Sequence, residues 1–185
     1  RTVYRGSLVN LRLDEVKVRN GTTVMREVVE HPGAAVILPL LGPEELVLVR
    51  QYREAVGEVL LELPAGTLRP GERAVDCALR ELEEETGYRA ARIRRAFSCY
   101  LAPGYSNELV HVFIARGLSI GKASPEQDES LSRVSASLGQ ALRMMRLNKI
   151  RDAKTIAAIL WFSRFAREVT AVKARRWRAG PAPSR

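Results

Sequence analysis

Apolar and polar residues alternate with a period of two near the start of the chain. The segment SLVNLRLDEVKV alternates in this way over residues 7–18, and TTVMREVVE follows over residues 22–30, after Asn20-Gly21. This alternation is typical of a strand with one face on a core, and Asn-Gly is a frequent turn between paired strands. The pattern predicts a β-hairpin from about Leu8 to Val29.

Five further segments have the composition and the bounding turn residues of strands. They are Ala34–Leu41, Leu46–Arg53, the segment EVLLELPAG ended by Pro64 and Gly66, and segments near Arg92–Leu101 and Glu108–Ala115. The segment RVSASLGQ, residues 133–140, is more polar than a typical strand. The region after the hairpin is therefore predicted to form a sheet.

Helical spacing occurs in three segments, which cover residues 74–86, 137–147 and 152–169. Gly87 is placed to end the first helix, and Asp152 is a suitable N-cap for the third. In the first helix one stripe is apolar and is predicted to face the core: Val75, Ala78, Leu79 and Leu82. A sheet with few helices, and without regular βαβ repeats, indicates an α+β fold.

The composition indicates one main soluble domain. The chain has 185 residues, 46% of them hydrophobic and 28% charged, and shows no apolar run of the about 20 residues that a membrane span needs. Cys77 and Cys99 match no metal-ligand spacing and do not suggest a disulfide framework, and no targeting leader is recognised at Arg1. We therefore expect a reducing, cytoplasmic setting and no membrane association.

The formal net charge of +9 is concentrated at the C-terminal end. Residues 164–185 contain seven basic residues and one acidic residue, and the chain ends in KARRWRAGPAPSR. Such a composition is typical of a flexible, solvated tail, with an anion-binding patch as the alternative. Because no helix-turn-helix, RNP-like aromatic pattern or zinc ligand set accompanies the charge, nucleic acid is not the expected partner.

The first helix concentrates negative charge on one side. Glu81, Glu84 and Glu85 are related by three and four residues, and the only basic residue from Ala74 to Thr86 is Arg80. Like charges at these spacings repel one another unless a cation is present, and carboxylate oxygens suit Mg²⁺ or Mn²⁺. The helix therefore indicates a divalent-metal site, with a solvated acidic face as the alternative.

The same helix completes a longer pattern. Gly66 is followed after five residues by Glu72 and after seven more by the segment RELEEETGY, residues 80–88. This spacing resembles the Nudix box at every signature position. The segments EVVEHPGAAVILPLL, VRQYREAVGEVLLELPAGTL and SCYLAPGYSNELVHVFIA resemble the ADP-ribose pyrophosphatase branch of that family, as does Pro103, sixteen positions after Gly87.

The resemblance implies an α+β Nudix fold, in which a mixed β-sheet is sandwiched between α-helices and an antiparallel strand arm precedes it. The implied organisation is an N-terminal β arm over residues 1–32, a Nudix hydrolase domain over residues 33–172, and a basic tail over residues 173–185. Related members are homodimers in which the arm of one subunit contributes to the site of the other, so we expect a homodimer here.

The resemblance also implies the roles of the acidic helix. Glu81, Glu85 and the backbone carbonyl of Ala65 are the expected metal ligands, for two or more Mg²⁺ ions or alternatively Mn²⁺. Glu84 and Arg80 are expected to take part in catalysis, with Arg80 orienting the cluster through charge-assisted hydrogen bonds.

A base on a loop about 45 residues beyond the box is expected to activate water; Glu129 is the first candidate and Glu126 the second. Arg53 is the expected ligand of the substrate phosphates, since its guanidinium forms a two-pronged contact. A further loop is expected to shape the pocket around the terminal ribose through Gly104, Ser106 and Glu108. Tyr4 is a candidate for stacking on adenine.

The implied activity is metal-dependent hydrolysis of ADP-ribose to AMP and ribose 5-phosphate. The alternatives are a Nudix hydrolase of another nucleotide sugar or dinucleotide, and a non-catalytic module that senses nucleotides or binds nucleic acid. Residue types leave open which phosphorus is attacked.

Overall fold

The described part of the protein, residues 1–121 and 132–172 of a computed structural model, contains two β-sheets and three α-helices. In chain order the elements are β1 (Thr2–Arg5), β2 (Asn10–Lys17), β3 (Thr23–Glu30), β4 (Ala34–Leu40), β5 (Glu45–Arg53), β6 (Glu58–Glu62), β7 (Ala65–Thr67), α1 (Ala74–Thr86), β8 (Tyr88–Tyr100), β9 (Leu109–Ile120), β10 (Ser132–Ser137), α2 (Leu138–Arg146) and α3 (Ala153–Val172).

The N-terminal strands form an antiparallel sheet of their own, in the order β1-β2-β3. The predicted hairpin is confirmed, with Lys17 of β2 paired to Thr23 of β3. Its turn covers residues 18–22, closed by a hydrogen bond from Val18 N to Thr22 O of 2.9 Å. Gly21 supplies the positive φ of 84° that the turn requires.

The second sheet is mixed and lies between helices. Its described strands run in the order β10-β5-β4-β9-β8, with β4 parallel to β9 and antiparallel pairing elsewhere. Alternate residues of β4 point to opposite faces, so Ala35 and Ile37 pack with α1, whereas Val36 and Leu38 belong to the core that also contains Phe162 of α3. The predicted α+β architecture with a sandwiched mixed sheet is confirmed.

The predicted strand EVLLELPAG is in fact two strands with different neighbours. β6 pairs with β5 and ends at Glu62, whereas β7 begins at Ala65 and pairs with β4. Pro64 has no N–H to donate, but its carbonyl accepts a 2.8 Å hydrogen bond from Ile37 N. The chain therefore changes partner at Pro64, and this change brings residues 65–66 next to α1.

The polar segment after residue 131 also forms a strand, β10. It pairs antiparallel with β5 at the edge of the sheet, and Ala136 is its buried residue. An edge strand with one solvated face accepts polar side chains, which explains why the segment looked unlike a strand.

The helix ends agree with the sequence prediction, but one predicted core residue of α1 is wrong. Gly87 ends α1 in the left-handed conformation at φ 67°, and Asp152 accepts a 2.9 Å hydrogen bond from Thr155 N at the start of α3. Leu79 is 38% exposed, whereas Leu82 is fully buried. The buried stripe of α1 follows Ala78, Leu82 and Thr86, which are four positions apart, and Leu79 lies at its margin. None of the helices in residues 1–121 and 132–172 could span a membrane.

The contrast between two leucines of α1 tests this packing. We expect Leu82→Ala to lower the free energy of unfolding by about 2–5 kcal/mol, because it leaves a cavity between α1 and the sheet. Leu79→Ala, the matched control, should cost less than about 1 kcal/mol because its side chain is partly solvated. Urea unfolding of both variants makes the comparison, and equal losses would contradict the described helix face.

Candidate active site

Arg80 joins three carboxylates at the exposed side of α1. Its Nε and Nη2 donate to the two oxygens of Glu72 at 2.9 and 3.0 Å. Its Nη1 donates to Glu81 at 2.5 Å and to Glu84 at 2.8 Å. The Arg80 and Glu81 side chains are only 18% and 12% exposed. One guanidinium therefore offsets much of the repulsion that the sequence places on this helix.

The electrostatics of the cluster follow from burial and from Arg80. Burial raises the pKa of Glu81, although the charge of Arg80 opposes this effect. The hydrogen bonds from Arg80 lower the pKa of Glu72 to about 2. The same bonds to Glu72 raise the pKa of Arg80. Arg80 thus stabilises the anion of Glu72, whereas burial still disfavours the anion of Glu81 despite the neighbouring cation.

The backbone at residues 65–66 lies directly against the acidic helix. Ala65 N donates to Glu85 Oε2 at 3.1 Å. A Cβ atom added to Gly66 would overlap the carboxylate of Glu81, so this position accepts only glycine without displacing that side chain. The first glycine of the motif therefore allows the β7 backbone to approach two carboxylates of α1 closely.

Cys77 lies beneath the same backbone segment. Its Sγ atom is 3.5 Å from Gly66 O and 3.6 Å from Thr67 O, and the residue is fully buried. Burial raises the pKa of the Cys77 thiol to about 12, so the thiol is neutral at physiological pH. Neutral, buried thiols are poor nucleophiles, and the role of Cys77 is packing.

The chemistry of this donor set fits a hard divalent cation. The Glu81 and Glu85 carboxylates lie against the backbone of residues 65–66. Carboxylate and carbonyl oxygens are the ligands that Mg²⁺ and Mn²⁺ bind. In the part of the chain that the structure describes, no three acidic, histidine or cysteine side chains already surround a common point. Two of the expected participants, Glu81 and Glu84, are held by Arg80 instead.

Arg53 lies at the end of β5 and is already engaged in an ion pair. Its Nε and Nη2 donate to the two oxygens of Glu62 at 2.8 and 2.7 Å, and the Glu62 side chain is 1% exposed. The pair with Glu62, with a smaller contribution from the charge of Glu85, raises the pKa of Arg53. β5 also contacts α1, so the strand that carries Arg53 and the acidic helix are neighbours.

The loop between β8 and β9 lies against the N-terminal sheet. Val29 N donates to Tyr105 O at 2.7 Å, and Ser106 forms a bridge to Val29 of β3. Within the loop, Glu108 N donates to Ser106 Oγ at 3.2 Å, while Gly104 has open space around its Cα. These three predicted pocket residues are thus brought together next to β3, and no described contact joins them to the α1 carboxylates.

The predicted bases Glu129 and Glu126 lie outside the described residues, but both flanks of that region contact the end of α1. Gly121 N donates to Gly87 O at 2.8 Å, and Arg133 Nη1 donates to Thr86 O at 2.8 Å. The sequence analysis did not identify Arg133. The signal was indirect, because the last turn of α1 contains no basic residue of its own.

Three other polar residues were missed in the site region. Glu72 was noted only as part of the motif, yet it makes the two-pronged pair with Arg80. Glu62 and Lys154 form a 2.6 Å ion pair. The position of Glu62 between Leu61 and Leu63 in the segment EVLLELPAG was a signal, since a buried acid requires a cationic partner.

Comparison with known proteins matches residues 30–159 to the NUDIX domain family model. The chain is 36% identical over 159 residues to the methanol dehydrogenase activator of Bacillus methanolicus and to the ADP-ribose pyrophosphatase of Bacillus subtilis, covering 85% of this chain and 86% of each relative. It is 35% identical over 162 residues to the GDP-mannose pyrophosphatase of Salmonella typhimurium, covering 81% of this chain and 84% of that protein.

A solved structure has the same fold. The crystal structure of an ADP compounds hydrolase superimposes with a TM-score of 0.79 at 23% identity, covering 95% of this chain and 94% of that one. The likeness extends to both sheets and the helices on either side, because nearly the whole chain is matched.

The hydrogen bonds from Arg80 to three carboxylates should stabilise the folded protein. Arg80→Lys should lower the free energy of unfolding without metal by about 1–3 kcal/mol, because one ammonium group leaves part of three carboxylates without a donor. Arg73→Lys, at the N-cap of the same helix, is the control. Its pair with Asp76 is 76% and 44% exposed, so the loss should stay below about 0.5 kcal/mol.

Urea unfolding in the presence of a chelator measures both variants. Equal losses of stability in Arg80→Lys and Arg73→Lys would show that the hydrogen bonds of the Arg80 guanidinium to the three carboxylates do not stabilise the fold.

Proposed function

The chain belongs to the NUDIX family, and from this premise we propose that it hydrolyses the diphosphate linkage of ADP-ribose to AMP and ribose 5-phosphate. The single observation that carries this proposal is the packing of the Glu81 and Glu85 carboxylates of α1 against the backbone of residues 65–66. Family membership and the named pyrophosphatase relatives support hydrolysis of a nucleotide diphosphate. The choice of ADP-ribose rests on the relatives from Bacillus subtilis and Mycobacterium tuberculosis that carry that name.

We assign the metal ligands to Glu81, Glu85 and the carbonyl of Ala65, for two or more Mg²⁺ ions, with Mn²⁺ as a substitute. When bound, such ions neutralise the diphosphate and lower the pKa of a water ligand. Glu84 completes the acidic side of the helix. Arg80 keeps Glu81 and Glu84 oriented, because its nitrogens contact both of them.

The remaining roles divide between substrate binding and proton transfer. Arg53 binds the diphosphate, a role supported by the contact between its strand, β5, and the acidic helix. The loop with Gly104, Ser106 and Glu108 borders the terminal ribose. Proton abstraction from the attacking water is assigned to Glu129, or to Glu126 in its place.

The N-terminal arm, residues 1–32, is proposed to pair with a second copy of the chain. Four apolar side chains of its sheet are 39–60% exposed, which supports coverage by a partner: Val3, Tyr4, Val16 and Met25. The domain over residues 33–172 and the basic tail over residues 173–185 complete the proposed organisation. Both described cysteines are free thiols, which supports a reducing, cytoplasmic setting.

GDP-mannose is the second candidate substrate, because a relative of similar identity is a GDP-mannose pyrophosphatase. The acidic helix serves either reaction, since both substrates contain a diphosphate between two organic groups. We therefore expect the pocket around the base and the sugar to determine which of the two substrates is preferred.

A substrate panel tests the proposed activity. Purified protein with Mg²⁺ should hydrolyse ADP-ribose with a higher kcat/KM than GDP-mannose, NADH or diadenosine polyphosphates, and should release AMP and ribose 5-phosphate. Chromatography of the products identifies the bond that is broken. A preference for GDP-mannose would make it the assigned substrate in place of ADP-ribose. Inactivity toward the whole panel would contradict the assignment as an enzyme.

The assignment of Glu85 as a metal ligand can be tested by steady-state kinetics. Glu85→Gln should lower kcat by several orders of magnitude, about 3–6 kcal/mol in transition-state stabilisation, because it replaces a charged metal ligand by a neutral amide. Glu83→Gln is the control on the same helix, since Glu83 pairs with Arg89 at 2.7 Å instead. Steady-state kinetics compare the two, and a loss below about tenfold for Glu85→Gln would show that the wrong carboxylate was assigned.

A further inference from the structure

Glu62 is the most deeply buried carboxylate among the described residues with an ion pair, and it has two cationic partners. Its side chain is 1% exposed. Arg53 donates to both of its oxygens, and Lys154 Nζ donates to Oε2 at 2.6 Å. A buried carboxylate is stable as an anion only when such donors compensate it, so both cations contribute to its charge balance.

The second cation belongs to the first turn of α3 and has a second acid beside it. Lys154 Nζ donates to Asp152 Oδ1 at 2.7 Å. The other oxygen of Asp152 accepts from Thr155 N at 2.9 Å and from Thr155 Oγ1 at 2.6 Å. Leu63 N donates to Thr155 Oγ1 at 2.8 Å. The start of α3 is therefore fastened to the chain between β6 and β7.

The four charged groups of this network balance one another. Glu62 and Asp152 supply two negative charges, and Arg53 and Lys154 supply two positive charges. Lys154 is only 14% exposed, whereas Arg53 is 35% exposed and is the member open to a ligand. Without Lys154, two carboxylates would share one guanidinium, and the positive charge of Arg53 would be offset within the protein.

We propose that Lys154 is a positioning residue that keeps Arg53 available to a diphosphate. It compensates Glu62 and Asp152 from the interior side, while Glu62 orients the Arg53 guanidinium through two hydrogen bonds. This inference rests on the proposed function, because it takes Arg53 as the group that binds the phosphates. The alternative role of Lys154 is only to anchor α3.

Charge balance distinguishes these two roles. Lys154→Met leaves an excess negative charge beside Arg53, so KM for ADP-ribose should rise by about tenfold while kcat changes by less than about threefold. Asp152→Asn removes the excess charge, and asparagine still caps the helix. The double variant Lys154→Met/Asp152→Asn should therefore recover KM to within about threefold of the wild-type value.

Arg151→Met is the matched control. Arg151, just before α3, pairs with Glu58 of β6, but both side chains are about half exposed, at 42% and 50%. Its KM should stay within about twofold of wild type. Thermal unfolding of every variant identifies any that fail to fold, and the double variant keeps the inference falsifiable if Lys154→Met alone is unstable.

Hydrogen exchange at Arg53 gives a second measurement, which does not depend on enzyme activity. In protein labelled with ¹⁵N-arginine, the Arg53 Nε–H signal, assigned by its loss in Arg53→Lys, reports the contact with Glu62. Its exchange with water should be slower in Lys154→Met than in wild type, because Glu62 is then compensated by Arg53 alone. The double variant should exchange at a rate near that of wild type.

Two results would overturn the inference. The first is an unchanged KM and an unchanged Arg53 exchange rate in Lys154→Met. The second is a double variant whose KM is as high as that of Lys154→Met, since a purely anchoring role adds the two losses. Wild-type protein that leaves ADP-ribose intact would instead contradict the proposed function, and the Arg53 exchange rates would still decide the charge balance.

Discussion

The contact of one guanidinium with three carboxylates is the interaction on which the site depends. Like charges at the spacing of Glu81 and Glu84 repel one another on one side of α1. Arg80 compensates both of them, and also Glu72, which precedes the helix. The opposite side of the helix is held by Leu82 in the core. The acidic face is therefore fixed in direction by packing and kept together by charge.

A short stretch of chain connects this cluster to the second charge network. Glu62 ends β6 and pairs with Arg53 and Lys154, and the backbone at residues 65–66 contacts the α1 carboxylates. Pro64 stands between them and forces the chain to leave one strand for another. Glu62, which holds Arg53, and Ala65, which contacts Glu85, thus lie three residues apart in the chain, so the fold links the proposed phosphate ligand to the proposed metal site.

Local patterns predicted most elements, but not the contacts between them. Gly87 and Asp152 have local functions as helix caps, and both were identified from the sequence. The exposed position of Leu79 depends on where the sheet lies, and the contact of Arg133 with Thr86 O joins residues far apart in the chain. The Glu62–Lys154 pair has the same character. Neither spacing nor propensity contains information about such partners.

We infer that the α1 carboxylates bind a divalent cation when a diphosphate is present. Crystals grown with Mn²⁺ and a non-hydrolysable ADP-ribose analogue, measured for anomalous scattering at the manganese edge, test it most directly. We expect manganese in direct contact with Glu81, Glu85 and the diphosphate oxygens. An analogue bound elsewhere, with no manganese at α1 and with Glu81 and Glu84 still held by Arg80, would contradict it.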